Sequence, residues 1–269
     1  MPVLLRPDGA VQVGWDPRRA VLVHPPDGAT PSALAALLRG MQIPLGKPEL
    51  HRLAATHGLG GDALDQMLHA LLSSGVVRGR TRQSASRALS IRVHGSGPLS
   101  DLLVDALRCS GARIAHTSHA GASVSAASAD LVVFSDYLVA DPRLVRDLHI
   151  AGVPHLTVRV RDGTGLVGPL VIPGVTSCLS CADLHRTDHD GAWPALAAQL
   201  RDVIGNADRP TVLATAAVAL GQLQRIITAV RGQEAAGAPP ATLNTTLQVD
   251  VTSNTISARR WSRHPNCQC

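Results

Sequence analysis

The sequence predicts an α/β protein built as two units, and three observations carry that prediction. Short alternating strands followed by three amphipathic helices fill residues 1–78. A strand, a glycine turn and a helix open a second unit at Ile91. Four of the five cysteines stand in two tight pairs, Cys178/Cys181 and Cys267/Cys269, which tie the far end of the chain to its middle. The polar stretch 79–90 between the units is predicted to be a linker.

Within the first unit, Val3-Leu5, Val11-Trp15 and Ala20-His24 are short apolar runs separated by the turn signals Pro7-Asp8-Gly9 and Asp16-Pro17, which predicts a three-stranded antiparallel meander. The first helix is capped by Thr30, carries Pro31 at its first position and turns Leu34, Leu37, Leu38 and Met41 inward. A second starts at Lys47-Pro48 and stops at Gly58. The third carries Leu64, Met67, Leu68, Leu71 and Leu72 and ends at Gly75, with Val76-Val77 returning as a strand. The pattern is that of a winged helix-turn-helix.

Arg78 to Arg87 lacks apolar spacing and holds four arginines, as a linker would. Ile91-Arg92-Val93 then runs into His94-Gly95-Ser96-Gly97-Pro98 and a helix from Leu99 to Arg108, the opening of a dinucleotide-type α/β fold. A brief strand at Arg113 to Ala115, a Ser/Ala-rich stretch from Ala120 to Ala129 and a buried strand Leu131-Phe134 follow. Further on come a helix from Arg143 to Ile150 and a strand from Pro154 to Val160. Gly165 to Pro173 reads as an exposed strand delivering the first cysteine pair. Trp193-Pro194 marks a helix start. Pro210 to Val230 is the longest helix, apolar over more than half its circumference, and a homodimer contact is one way to bury it. Thr242 to Asp250 and Thr255 to Trp261 form a hairpin around Ser253-Asn254.

Composition bounds the function classes. Apolar residues make up 45% of the 269 and aromatics only 2%, so the cores rest on Leu, Val, Ile and Ala. The net charge of +5 comes almost wholly from arginine, Lys47 being the only lysine, and forms no run of the kind that binds nucleic acid. No apolar run approaches a membrane span, and the start MPVLLRPDG is too short in apolar residues for a secretory signal, so a cytoplasmic protein is expected.

The pairs Cys-x-x-Cys and Cys-x-Cys suit one tetrahedral zinc with four thiolates, Cys178, Cys181, Cys267 and Cys269. Paired disulfides are the alternative reading. Four sulfurs close the shell, so such a site is structural. Cys109, outside the pairs, ends an apolar helix with no base in its neighbourhood and is expected to be a buried or half-buried thiol.

The glycine turn, the run Ile172-Pro173-Gly174-x-Thr176-x-Cys178-x-x-Cys181, the long apolar helix and the hairpin ending in paired cysteines together resemble the E1-like (ThiF/MoeB/HesA) adenylating superfamily over residues 91–269. With the preceding winged helix, and with Asp183-Leu-His-Arg-Thr-Asp188 after the cysteines, the chain looks like the precursor-peptide-binding proteins of thiazole/oxazole-modified microcin (TOMM) biosynthesis. In these a RiPP recognition element is fused to an E1-like domain that serves a YcaO cyclodehydratase. The resemblance implies a structural zinc, a peptide and a YcaO enzyme as partners, and a homodimer.

The departures from active adenylating members bear on activity. The turn is Gly95-Ser96-Gly97-Pro98-Leu99-Ser100, without the third glycine of the family's GxGGxG, and Ala115-His116-Thr117 stands where a ribose-binding carboxylate belongs. The interval from Gly95 to Asp136 is shorter than the family's, and residues 110–130 offer one arginine, Arg113, and no lysine for phosphates. Gly95, Gly97 and Asp136 are the candidates for a remnant nucleotide site. Against that, the glycines could simply permit a tight turn, and Asp136 could face solvent or cap the next helix.

Three functions follow for testing. In the first, the chain is a non-catalytic scaffold whose winged helix captures a peptide as an added strand at Ala20-His24, with Val21, Val23, Leu64, Leu68 and Leu71 as the contact candidates. In the second it is an ATP- and magnesium-dependent adenylating enzyme, which the motif losses oppose. In the third the winged helix binds DNA, which Gly61-Asp62-Ala63-Leu64-Asp65 at the start of the third helix opposes by placing two aspartates where phosphates would lie.

Overall fold

The computed structural model describes residues 1–43, 45–73, 88–118, 129–231 and 239–269. The chain divides into two compact units, Met1–Gln83 and Ser84–Cys269. The predicted strand at Val76-Val77, most of the linker 79–90 and residues 120–128 of the Ser/Ala-rich stretch lie outside the described residues.

The first unit opens with an antiparallel meander of β1 (Val3–Leu5), β2 (Val11–Val13) and β3 (Val21–Val23), in the order β1-β2-β3, so β3 is an edge among the described residues. Helices α1 (Pro31–Gly40), α2 (Lys47–Thr56) and α3 (Gly61–Ser73) follow. Thr30 Oγ1 accepts from Ala33 N–H at 3.2 Å and fixes the start of α1. Glu49 reaches back to Gly46 N–H and does the same for α2. Leu34, Leu37, Leu64 and Leu71 meet Val11 and Val13 in one core, each enclosed leucine contributing about 1.5–3 kcal/mol.

The second unit is a seven-stranded mixed sheet in the order β10-β9-β8-β7-β6-β4-β5. Strands β4 (Ser90–His94), β5 (Arg113–Thr117), β6 (Leu131–Ser135) and β7 (His155–Arg161) run parallel. Strands β8 (Thr164–Val171), β9 (Thr245–Asp250) and β10 (Thr255–Arg260) continue antiparallel. Helix α4 (Pro98–Leu107) and the long α8 (Arg209–Val230) pack on one face with Leu131 and Val133 of β6. Helix α5 (Pro142–Ile150) covers Val132 and Phe134 on the other. With both faces covered, β6 is buried along its whole length, as its unbroken apolar run requires. Helices α6 (Leu179–His189) and α7 (Trp193–Leu200) follow the first cysteine pair.

Three expectations need correction. The Gly165–Pro173 stretch is not an exposed strand: β8 is buried from Gly165 onward because it lies between β7 and β9 with α8 across it. Cys109 is exposed, since it falls in a turn of 3-10 helix (Arg108–Ser110), two residues past Leu107 and so, at three residues per turn, about 240° round from that buried side chain. An apolar stretch long enough to cross a membrane does exist, namely α8, but its Val212, Ala216, Ala219, Leu223 and Ile227 lie in the core against the sheet. The same packing buries one face of the helix and leaves Leu213 and Val230 exposed.

Candidate functional site

In an open parallel sheet, ligands bind beyond the carboxyl ends of the strands where the strand order reverses. Here that point lies between β4 and β6, and it brings together Gly95, Gly97 and Asp136. Asp136 follows β6 with a positive φ of 70°, held on both sides by its backbone. Its N–H donates to Val158 O at 3.1 Å, and its carbonyl accepts from Gly205 N–H at 3.1 Å. The side chain, 1% exposed, reaches across to the start of α4. Its carboxylate accepts from Leu99 N–H (2.9 Å), Ser100 N–H (3.0 Å) and the Ser100 hydroxyl.

These are the free N–H groups of a helix N-terminus, the donors to which a nucleotide's phosphates would bind. An internal carboxylate already occupies them. A Cβ on Gly97 would lie 2.8 Å from Asp136 Oδ1, and one on Gly95 would collide with Ser135 O, so both glycines are required by this packing itself. Asp136 caps the helix before it, not the one after it, and does not face solvent.

The surroundings are closed as well. His116, in the place of a ribose carboxylate, donates from Nε2 to Gly95 O at 2.9 Å, and Gly95 N–H donates to Thr117 O. His94 is buried, bonds Thr117 Oγ1 through Nδ1, and burial lowers its pKa. The segment after α7 crosses the strand ends, with Leu138 N–H donating to Val203 O and Tyr137 bridging to Ile204. The cavity left among His94, Tyr137, Asp141 and Arg201 holds about 30 Å³, room for a water, whereas small-molecule pockets enclose about 300–1,000 Å³.

The cysteine pairs meet at the opposite end of β8. Cys178 begins α6, and its Sγ accepts from Cys181 N–H at 3.4 Å. The Sγ separations are 3.7 Å for Cys178–Cys181, 3.5 Å for Cys178–Cys267 and 3.4 Å for Cys181–Cys269, and all four sulfurs lie within 4.8 Å of one another. Disulfide sulfurs would stand about 2.0 Å apart. A tetrahedron with metal–sulfur bonds of about 2.3 Å has edges of about 3.8 Å, so the cluster is compatible with a structural zinc. Burial raises the Cys178 thiol. Burial also acts to raise Cys181, but hydrogen bonds from the His264 and Cys178 backbone and the neighbouring thiols outweigh it and bring it below the usual thiol range.

The hairpin is fastened to this cluster by named contacts. Asn244 Oδ1 accepts from Ser177 N–H at 2.7 Å, Arg263 donates to Gly174 O at 2.6 Å, and His264 donates from Nε2 to Asp188 at 2.7 Å. His185, Asp188 and His264 also converge. His264 Nδ1 accepts from Asn266 N–H, which puts the proton on Nε2, so the ring serves Asp188 as a donor and offers no lone pair to a metal there.

No protein-family model matches the chain, and no curated protein matches it. Solved structures do. The chain shares its fold with a heterocyclase. The heterocyclase TruD superposes with a TM-score of 0.66 at 15% identity, over 99% of this chain and 41% of that one. A heterocyclase in complex with substrate and cofactor gives 0.64 at 13% identity, over 99% and 38%. The chain thus spans about two fifths of these heterocyclases. The E. coli protein MccB with ATP gives 0.53 at 11% identity, over 99% of this chain and 96% of that one.

Of the peptide-contact candidates, Val21 and Val23 are half-buried on the edge strand β3, and Leu68 is half-buried on α3. Leu64 and Leu71 are closed inside the core, at 0% and 2% exposure. Leu22, 47% exposed on β3, was missed by sequence reasoning, although alternation along Val21-Leu22-Val23 puts it on the outer face. The three donors around Asp136 were missed too. Helix capping is a local signal only when the cap is adjacent, and here the partners are 37 and 36 positions apart.

Proposed function

We propose that this chain is a non-catalytic, peptide-binding scaffold resembling the TOMM precursor-peptide-binding proteins that serve a YcaO cyclodehydratase. The observation that carries the reading is Asp136 seated on the N-terminus of α4: the donors an ATP phosphate would need are committed to an internal carboxylate. The fold shared with a heterocyclase supports placing the chain in such an assembly. Cyclodehydration itself is assigned to the YcaO partner.

On this reading the first unit is a winged helix-turn-helix that recognises its peptide by strand addition. Among the described residues β3 pairs with β2 alone, so an extended peptide finds a row of backbone donors and acceptors there, with Val21, Val23 and Leu68 as apolar neighbours. The acidic start of α3, Asp62 and Asp65, opposes a phosphate backbone, which sets DNA binding aside. The four cysteines hold zinc, which fastens the hairpin of β9 and β10 to α6 and supplies structural stability alone.

Titration of the zinc-loaded protein with ATP and magnesium by calorimetry tests the first half, with no binding heat expected. Saturable heat, or pyrophosphate exchange with a candidate carboxylate, overturns it. Fluorescein-labelled candidate precursor peptides encoded beside this chain test the second half by anisotropy. A Val21→Asp/Leu22→Lys variant that keeps its melting temperature should lose at least about tenfold in affinity. Unchanged affinity in that folded variant removes β3 as the site.

A further inference from the structure

The second unit contains a groove that the proposed function does not use. It lies between α5, β7 and the α6–α7 pair and encloses about 840 Å³, within the ~300–1,000 Å³ typical of ligand sites. Trp193, Ala197 and Leu200 of α7 line it with apolar surface, and Arg146, Arg159 and Arg161 add positive charge.

Two features of this groove are unexplained by the fold alone. The first is α7, whose sequence WPALAAQL is apolar over seven of eight residues, yet none of them is buried and Leu196 is 44% exposed. So short a helix is marginal in isolation and is normally held by burying an apolar face. The second is Arg159. Among the described residues its side chain makes no hydrogen bond or ion pair, and its charged neighbours include Arg161 and Arg186. The one acid acting on it, Asp183, is already engaged: its Oδ1 accepts from Arg186 at 2.8 Å and from Trp193 Nε1 at 3.1 Å. Burial first, then those like charges, pull the Arg159 pKa down to about 10, so the guanidinium keeps its charge near neutrality.

We propose that the groove docks an acidic, apolar segment of a partner polypeptide, with a carboxylate of the segment on Arg159 and its apolar side chains on α7. The arginine fork receives a carboxylate through two parallel N–H donors, which supplies the anion that Asp183 does not. A small carboxylate alone would leave α7 uncovered, and a lipid or an uncharged helix would leave Arg159 unpaired. A polypeptide carrying Glu or Asp among Leu or Ile satisfies both. This site is separate from β3 in the first unit and does not depend on peptide capture there.

The test uses the full chain and a fluorescein-labelled synthetic peptide of about twelve residues mixing Glu and Leu, with Gln-for-Glu and Lys-for-Glu versions as controls. The Glu peptide is expected to bind at least about tenfold tighter than either control by anisotropy. Arg159→Gln should erase that preference, and Arg159→Lys should restore only part of it. Ala197→Asp, at a half-buried position of α7 that lines the groove, keeps the proposal testable if the Arg159 variants fail to fold, and should weaken the Glu peptide. A chain carrying Val21→Asp should bind the Glu peptide as the unaltered chain does. Equal affinity for the three peptides, full binding by folded Arg159→Gln, or loss of the preference with Val21→Asp overturns the proposal. So does a dimer, seen by sedimentation, that Ala197→Asp converts to monomers, since the occupant would then be a second copy of this chain.

Discussion

His155 is a titratable side chain enclosed without a counter-charge. It is fully buried on β7, edge-on to Phe134, with Nδ1–H donated to Val153 O at 3.1 Å and with Nε2 meeting no partner among the described residues. Burial lowers its pKa from 6.5 to about 4. The unfolded chain therefore binds the proton more tightly, and stability is full above pH 6.5 and falls as pH drops toward 4. At about 1.36 kcal/mol per pH unit below 6.5, His155 removes about 2 kcal/mol between pH 7 and pH 5. Urea denaturation of His155→Leu at the two pH values should show that share of the loss gone; an unchanged pH slope would mean the buried ring is not its source. Asp136 makes the complementary case of a buried acid with three donors. Asp136→Ala strips the cap from α4 and leaves those donors facing a void, and should lower stability by about 2–4 kcal/mol. Asp136→Asn, which keeps one carbonyl oxygen, should lose less in the same denaturation assay. At this scale the sequence reading reached the residue and missed its partner, because a cap contributed from 36 residues away leaves no spacing to read.

Among elements, α8 and β8 approach each other closely at Gly165. A Cβ on Gly165 would run into Thr215 Oγ1 and come within 3.0 Å of Thr215 Cβ, so helix and strand meet only because one side of the contact is a glycine. Gly165→Ala should push α8 off the sheet and lower stability by about 1–3 kcal/mol, as overpacking does. Thr215→Ala removes the colliding hydroxyl, and the double variant should recover part of the loss; simple additivity in the double-mutant cycle would show that the two residues do not couple. The strand and helix periods were legible: the meander, α1 to α3, the parallel strands and the β9–β10 hairpin all announce themselves through alternation, caps and glycine stops. What β8 showed is where that signal ends. Its glycines, proline and short apolar side chains resemble an exposed edge strand, and only its neighbours in the sheet order make it a buried one.

At the scale of the whole molecule, the two units differ in what holds them. The first is closed by an apolar core, mostly leucines and valines, whereas in the second Cys267 and Cys269 must be brought back to Cys178 and Cys181 across nearly ninety residues. Side-chain contacts that make this closure, such as the part-buried bond of Ser177 to Asn244 and the exposed bond of Arg263 to Gly174, are each worth about 0.5–1.5 kcal/mol net. Structural zinc contributes far more, about 10–16 kcal/mol in isolated zinc-finger peptides, because the metal binds the folded arrangement and not the open chain. On the proposed reading the metal adds to the pairing of β9 with β8 and the burial of Leu247 in offsetting the loop entropy of returning so distant a pair. Chelation should therefore lower the melting transition of Ser84–Cys269 while leaving the transition of Met1–Gln83 in place, and Cys269→Ser should behave as the chelated protein does. Calorimetry on the full chain resolves the two transitions, since a protein of two units need not melt in one step. A second-unit transition that stays put while bound zinc, measured by atomic absorption, falls to zero would show that hairpin and α6 are held by protein contacts alone.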